Sequence, residues 1–364
     1  MKKIMFNNSR IALPVFGTLL LALFATGACQ SSNNNDAQDI DISSPAEVSN
    51  SNPEAIQSIQ QFDLLNTLTG HDDDINSVVI SSSRGVVISG SRDQTVRSWS
   101  LDTGELLDTF SAGDNEVVYS VAISPDGETV ASGGSKVPVN PNDIATIKIW
   151  NLRTGELMRS IPAHGSSAEP ATFSPDGQTL ISIGGYKDNL IKFWNVRDGS
   201  LVNTIQDGIP ISVAISPDGQ TLAIGDWNNF IRVWDLNSNS PIRTLSGHSE
   251  QVRTLAFTPD GQTLISGSMD QTIKVWRLST GELLRTLEGH EYPVSSVAIS
   301  PNGNLLASGS GDDTIKIWDL NTGELIETLT GHSDTTKSVA ISADGKTLVS
   351  GSIDRTIKIW NIAP

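Results

Sequence analysis

The sequence predicts an all-β fold, a closed ring of seven four-stranded antiparallel sheets, and three observations predict it. A tryptophan recurs near the end of each of seven units, at Trp99, Trp150, Trp194, Trp234, Trp276, Trp318 and Trp360, with spacings of 51, 44, 40, 42, 42 and 42 residues. Within a unit, four short alternating or β-branched runs are separated by turn chemistry. The last unit stops after three such runs. A fourth stands at the start of the repeated region, where LLNTLTGH (Leu64 to His71) parallels LIETLTGH (Leu325 to His332).

The unit GHSEQVRTLAFTPDGQTLISGSMDQTIKVWRLSTGELLRTLEG gives the elements in order. VRTLAF is a strand, PDGQ a turn, TLISGS a strand, MDQT a turn, IKVWRL a strand, STGE a turn and LLRTLEG the fourth strand. The recurring SPDG at Ser124, Ser174 and Ser216 is turn chemistry, with Pro presetting φ and Gly accepting positive φ. Such a sheet cannot bury both faces alone, so the units are expected to stack radially around a channel, each covering its neighbour. The N-terminal run should complete the seventh sheet and remove an open edge. It should start on the bottom face, where third and fourth strands connect.

A period near 42, with Gly-His before and Trp-Asp or Trp-Asn after, resembles the WD-repeat β-propeller family. The resemblance covers residues 64–364 and implies a seven-bladed β-propeller domain over 63–364. Aligned units put one His, Ser, Asp and Trp in phase: His71, Ser89, Asp93 and Trp99; His164, Ser182, Asp188 and Trp194; His248, Ser266, Asp270 and Trp276; His290, Ser308, Asp312 and Trp318; His332, Ser350, Asp354 and Trp360. Ser, His and Asp together suggest a hydrolase triad, but several equivalent copies argue against a site that is normally assembled once. In the resembling family the tetrad is a buried brace running from the loop histidine through Ser and Asp to the indole. The five histidines lie one per blade around the ring, which does not suit a metal site.

Blades 2 and 4 depart from the pattern and are expected to be softer. Blade 2 has Asp114 where His is expected; blade 4 has Gly208 there, Ile224 for the Ser and Asn228 for the Asp. In the resembling family, partners touch the top face three and five residues after the loop His and just before the tetrad Asp. Those positions hold Asp74, Asn76 and Arg92 in blade 1, Gln251, Arg253 and Met269 in blade 5, Pro293, Ser295 and Gly311 in blade 6, and Thr335, Lys337 and Ile353 in blade 7. Blades 2 to 4 offer Val117 and Tyr119, then Ser167, Glu169 and Lys187, then Ile209, Ile211 and Trp227. A partner surface is therefore expected around Trp227, with Ile209, Ile211, Tyr119 and Met269. The competing expectation is that Trp227 folds over blade 4 in place of the missing tetrad. The blade-2 loop SKVPVNPNDIA should rise from the same face.

The N-terminus reads as an address. A basic start (MKKIMFNNSR), an apolar stretch (IALPVFGTLLLALFA) and TGAC have the order of an export signal over residues 1–28. The lone cysteine, Cys29, stands where the sequence resembles the bacterial lipoprotein processing box, with Thr26 in place of the usual Leu. That resemblance implies lipidation of Cys29; an ordinary signal and an uncleaved anchor are the alternatives. Residues 29–62 carry five acids and no Lys or Arg before the first repeat, the composition of a flexible linker. Its root-mean-square span is roughly 30 Å.

With a net charge of −17 on 364 residues, and three of the cations lying in the first 28, the body is a poor match for nucleic acid. The sequence is therefore expected to encode an exported propeller, monomeric and lipid-anchored in a bacterial cell envelope. Its expected task is to bind protein partners, without enzymatic activity, cofactor or metal. The rivals are a ligand-sensing or enzymatic propeller using the central channel, and a purely structural envelope component.

Overall fold

Turn chemistry at fixed intervals divides the chain into strands, and the hydrophobic period of two in each strand decides which face it buries. The computed structural model describes residues 61–137, 143–165, 167–185 and 188–363. The export signal, Cys29 and the linker up to residue 60 lie outside the described residues, as do Lys187, the side chain of Glu169 and the centre of the blade-2 loop.

Strand β1 (Gln61–Leu68) precedes the first complete blade. Blade 1 holds β2 (Ile75–Ser81), β3 (Val86–Ser91), β4 (Thr95–Ser100) and β5 (Leu106–Ser111). Blade 2 holds β6 (Glu116–Ile123), β7 (Thr129–Lys136), β8 (Ile144–Asn151) and β9 (Leu157–Gly165). Blade 3 holds β10 (Ala168–Phe173), β11 (Thr179–Gly184), β12 (Ile191–Asn195) and β13 (Leu201–Ile205). Blade 4 holds β14 (Pro210–Ile215), β15 (Thr221–Asp226), β16 (Phe230–Asp235) and β17 (Ser240–Ser246). Blade 5 holds β18 (Val252–Phe257), β19 (Thr263–Ser268), β20 (Ile273–Arg277) and β21 (Glu282–Leu287). Blade 6 holds β22 (Val294–Ile299), β23 (Leu305–Ser310), β24 (Ile315–Asp319) and β25 (Leu325–Leu329). Blade 7 holds β26 (Thr336–Ile341), β27 (Thr347–Ser352) and β28 (Ile357–Ala363), and β1 is its fourth strand.

The fold is thus a seven-bladed β-propeller of four-stranded antiparallel sheets, and β1 closes the ring against β28. Leu68 sits opposite Ile357 and Phe62 opposite Ile362, so the closing strand pairs with β28 at both ends, with one bulge between Leu64 and Asn66. Its apolar residues join two clusters. Phe62 packs with Trp360 and Ile362, while Leu68 packs with Ile75, Val78 and Trp99 of blade 1 and Ile357 and Ile359 of blade 7.

Burial falls from the second strand outward. Every residue of β3 is buried, whereas β5 buries only Phe110. The second strands touch the next blade closely enough to need glycine: a Cβ on Gly90 would lie 2.6 Å from Val118 Cγ1 of blade 2. Inner strands are sheet edges, and in four of them a free N–H is taken by a hydroxyl of the preceding blade. Ser338 Oγ accepts from Val78 N at 3.1 Å, and Ser77, Thr254 and Ser296 accept from Val121, Val297 and Val339 at 3.2 Å. Each of these hydroxyls follows a β-bulge at the top of its strand. Asn76, Tyr119, Ile211, Arg253, Ser295 and Lys337 are the bulged residues.

Candidate interaction face

The top face is made by the turns between second and third strands and by the loops that enter each inner strand. One main-chain bond ties the two together in each of five blades. The residue before the tetrad Asp, or its equivalent, donates its N–H to the carbonyl just before the inner strand, three residues after the loop His in the tetrad blades: Arg92 to Asp74, Trp227 to Ile209, Met269 to Gln251, Gly311 to Pro293 and Ile353 to Thr335, at 2.9–3.1 Å. Side chains at these paired positions therefore stand beside one another on the top.

Beneath this face, five blades carry the hydrogen-bonded set of His, Ser, Asp and Trp. His Nε2 lies 2.7–2.8 Å from Ser Oγ, and the Trp indole donates to the same Ser at 2.8–3.1 Å. His Nδ1 lies 2.7–2.9 Å from the Asp carboxylate. The order of links is Asp, His, Ser, Trp, with the histidine in the middle, and not His, Ser, Asp, Trp as the family resemblance implies. The reason is geometric. Ser89 and Trp99 sit on adjacent paired strands, while Asp93 sits in the turn above them, where the histidine of the incoming loop comes between it and the serine. One direction of donation satisfies the whole chain: indole to Ser, Ser to His Nε2, His Nδ1 to Asp.

Burial disfavours the charged form of Asp93, but hydrogen bonds from His71, Thr95 and the Asp72 N–H outweigh it and hold the carboxyl well below the usual carboxylate range. Asp270, Asp312 and Asp354 are lowered by the same balance, with Thr272, Thr314 and Thr356 as donors. In blade 3, Leu190 takes the Thr position, so Asp188 keeps the main-chain N–H found in the other tetrads and lacks the hydroxyl.

Blades 2 and 4, which depart from the tetrad pattern, hold substitutes. In blade 2 the Trp150 indole still donates to Ser132 at 3.2 Å. The space of the absent histidine is lined by the buried Glu116, which accepts from Lys148 and Thr146. In blade 4 the Trp234 indole donates to Asp207 at 2.8 Å. Arg232 bridges Asp207 at 3.3 Å to Asp226 at 3.2 Å, and Asp226 is fully buried. Asp226 also accepts the N–H groups of Asn228 and Phe230, which caps the turn.

Trp227 therefore does not replace the missing tetrad. It is 54% exposed in the turn above this charged network. Ile209 and Ile211, half-buried, lie on the same blade, and Ile209 bonds the Trp227 main chain directly. Met269 is half-buried on the adjacent blade 5. Tyr119 is half-buried two blades away, its hydroxyl accepting from Ser135 at 3.2 Å. Two exposed aromatics escaped the sequence reading. Phe230, 38% exposed, closes the Trp227 turn, with the Arg232 guanidinium 5.9 Å from its ring. Tyr292, 58% exposed, lies in the loop entering blade 6. Both stand where sibling blades have small or acidic residues, Thr95 for Phe230 and Glu250 for Tyr292, so the same break in pattern that marks Trp227 could have found them.

Among the described residues, no group of three His, Cys, Asp or Glu side chains is arranged to hold a metal ion. The acidic run Asp72 to Asp74 is spent locally: Asp72 is exposed, and Asp74 faces Arg92 at 3.7 Å.

Comparison with known proteins adds to this geometry. The family described as WD domain, G-beta repeat matches residues 62–100, 104–136 and 155–195, and the WDR3 first beta-propeller domain matches residues 191–362. WD repeats and a propeller domain of that type are therefore present in the chain. The chain is 27% identical over 196 residues to Autophagy-related protein 16 of Arabidopsis thaliana, covering 51% of this chain and 36% of the relative. It is 27% identical over 209 residues to Nuclear distribution protein nudF of Emericella nidulans, covering 51% and 45%. Against Small ribosomal subunit protein RACK1y of Oryza sativa subsp. japonica it is 29% identical over 160 residues, covering 42% and 44%. The chain spans less than half the length of each of these curated relatives.

Proposed function

We propose that this chain is an exported, membrane-anchored scaffold that binds protein partners through the top face of its propeller and has no enzymatic activity. A fold does not give a function, so the weight rests on the site. The observation that carries the proposal is the blade-4 turn, where Trp227 and Phe230 are exposed while Asp207, Arg232 and Asp226 do the bracing. Large aromatics free of a structural task and displayed on a rigid turn have the chemistry of interface anchors. The non-enzymatic part is supported by the tetrads, whose Ser, His and Asp groups are occupied with one another beneath the surface. Export and lipidation at Cys29 rest on the signal-like N-terminus alone.

A photo-crosslinking residue at position 227 or 230, in the full chain expressed in its own cells, tests the face. Specific crosslinked partners are expected there, with none from a control position in the bottom turn at Gln262. Equal crosslinking at the two positions would overturn the proposal. For the anchor, Cys29→Ser should release the protein from the membrane fraction; unchanged membrane retention would remove lipidation from the reading.

A further inference from the structure

The chain carries 41 acidic against 24 basic side chains, yet on the top face Lys337 lies within electrostatic reach of both Arg253 and Arg92. Arg253 and Lys337 are the bulged residues of β18 and β26, and Arg92 directly follows β3 in the top turn of blade 1. Bulges at a rim re-aim the side chain they carry, here Arg253 of blade 5 and Lys337 of blade 7. Lys337 is half-buried. Burial first, and then the like charge of Arg253, push its ammonium below the usual lysine range; Arg92 adds to this, while Asp74 and Asp334 oppose it. Both opposing carboxylates are already engaged. Asp74 lies 3.7 Å from Arg92, and Asp334 accepts the Thr335 N–H at 2.7 Å. The bulge positions of blades 2 and 4 are apolar, Tyr119 and Ile211, with Trp227 exposed above the latter. The top face therefore has a cationic side and an apolar side.

From this juxtaposition we infer that Arg253, Lys337 and Arg92 receive a carboxylate side chain from an extended partner segment whose apolar residue docks at Trp227. The inference rests on the interaction role proposed above and adds the partner's chemistry. Cations held together in partial burial repel one another, and an incoming carboxylate relieves that repulsion while forming charge-assisted hydrogen bonds. Elsewhere the acidic body repels such a segment, so the charge selects where the partner sits rather than how fast it arrives.

The test uses the intact propeller and paired synthetic dodecapeptides, each with a Trp or Leu anchor and either Glu or Gln at varied spacing from it. At one spacing the Glu peptide should bind roughly fivefold tighter than its Gln twin, less so at higher salt. R253Q and K337Q should erase that preference and leave the Gln peptide's affinity unchanged, while W227A should weaken both peptides equally. Equal binding of Glu and Gln peptides at every spacing, or a preference that survives R253Q and K337Q, overturns the inference. In that case a W227A effect on both peptides leaves the interaction face standing without its charge selection. A Glu preference together with affinities for both peptides that W227A leaves unchanged keeps the cationic site and removes Trp227 from it, and no binding up to millimolar peptide overturns both.

Discussion

The Trp234 indole donates to Asp207 at 2.8 Å, and this one bond gives blade 4 an anchor unlike that of any tetrad blade. In tetrad blades the indole meets a buried serine on the neighbouring strand; here that position is Ile224, and a carboxylate from the incoming loop takes over. Asp207→Ala should cost about 1–3 kcal/mol, because the indole N–H loses its acceptor and Arg232 one of its two carboxylates. Asp226→Ala should cost more, about 3–5 kcal/mol, since it removes the buried partner of a buried-side guanidinium and uncaps the turn. Urea unfolding of both variants checks the ranking. If Asp207→Ala were neutral, the charged network would not be what holds blade 4.

Trp227→Ala makes the opposite prediction. An exposed side chain above a turn that other residues cap should change stability by no more than about 0.5 kcal/mol. Phe230→Ala should behave alike. A melting-point loss for Trp227→Ala as large as that for Asp207→Ala would return Trp227 to a packing role and remove the basis for an interface there.

The tetrad serine is expected to be worth more than its counterpart in blade 2. Ser266 serves two partners, accepting from Trp276 at 2.8 Å and meeting His248 Nε2 at 2.7 Å, so Ser266→Ala strands both and should cost about 1–3 kcal/mol. Among the described residues Ser132 bonds the Trp150 indole, at 3.2 Å, without a histidine beside it, and Ser132→Ala should cost under about 1 kcal/mol. Equal losses at the two sites would mean that the histidine link contributes nothing.

The contrast between those blades also explains what could be read from the sequence. Strand count, blade boundaries and ring closure were legible because each follows from a local period or turn repeated in phase, such as LLNTLTGH echoing LIETLTGH. The substitutes in blades 2 and 4 were not, because Glu116, Asp207 and Arg232 break no pattern until it is known which groups converge in space. Trp227 was legible as an extra aromatic, yet its exposure depended on Asp226, which stands where sibling blades have the serine of Ser91 and whose burial no local spacing announces. Phe230 belongs to the same break in pattern: without a tetrad Asp to bond, a Thr at that position has no task, and an aromatic can stand in its place.

Ring closure should be as costly to loosen as a domain core. Phe62 is buried against Trp360 and Ile362, so Phe62→Ala should destabilise the whole propeller by about 3–5 kcal/mol in chemical denaturation. A variant that lost only local protection of β1 and β28 in hydrogen exchange, with the global transition unchanged, would show that the seven blades do not depend on the closing strand.

Acid should unfold the propeller through the tetrad aspartates, and the sign follows from their depressed pKa values. A carboxyl lowered in the folded state contributes stability that is fully present above its unfolded value, about 3.9, and is lost as pH falls through the folded value. Asp93, Asp270, Asp312 and Asp354 all lie in this class despite the opposing effect of burial, because His, Thr and main-chain donors hold the charged form. Stability should therefore be flat in this respect from pH 7 down to about 4 and fall below it. Thr272→Val removes the 2.7 Å donor to Asp270 and should make that fall smaller and end it at higher pH, as the folded carboxyl rises toward its ordinary value while the start, set by the unfolded value, stays in place. Asp188, which has Leu190 in the Thr position, offers the natural comparison: Leu190→Thr should deepen the fall and extend it to lower pH. Denaturation midpoints measured across pH 2 to 7 decide it, and a Thr272→Val profile parallel to wild type at every pH would show that the threonine donor does not tune the carboxylate.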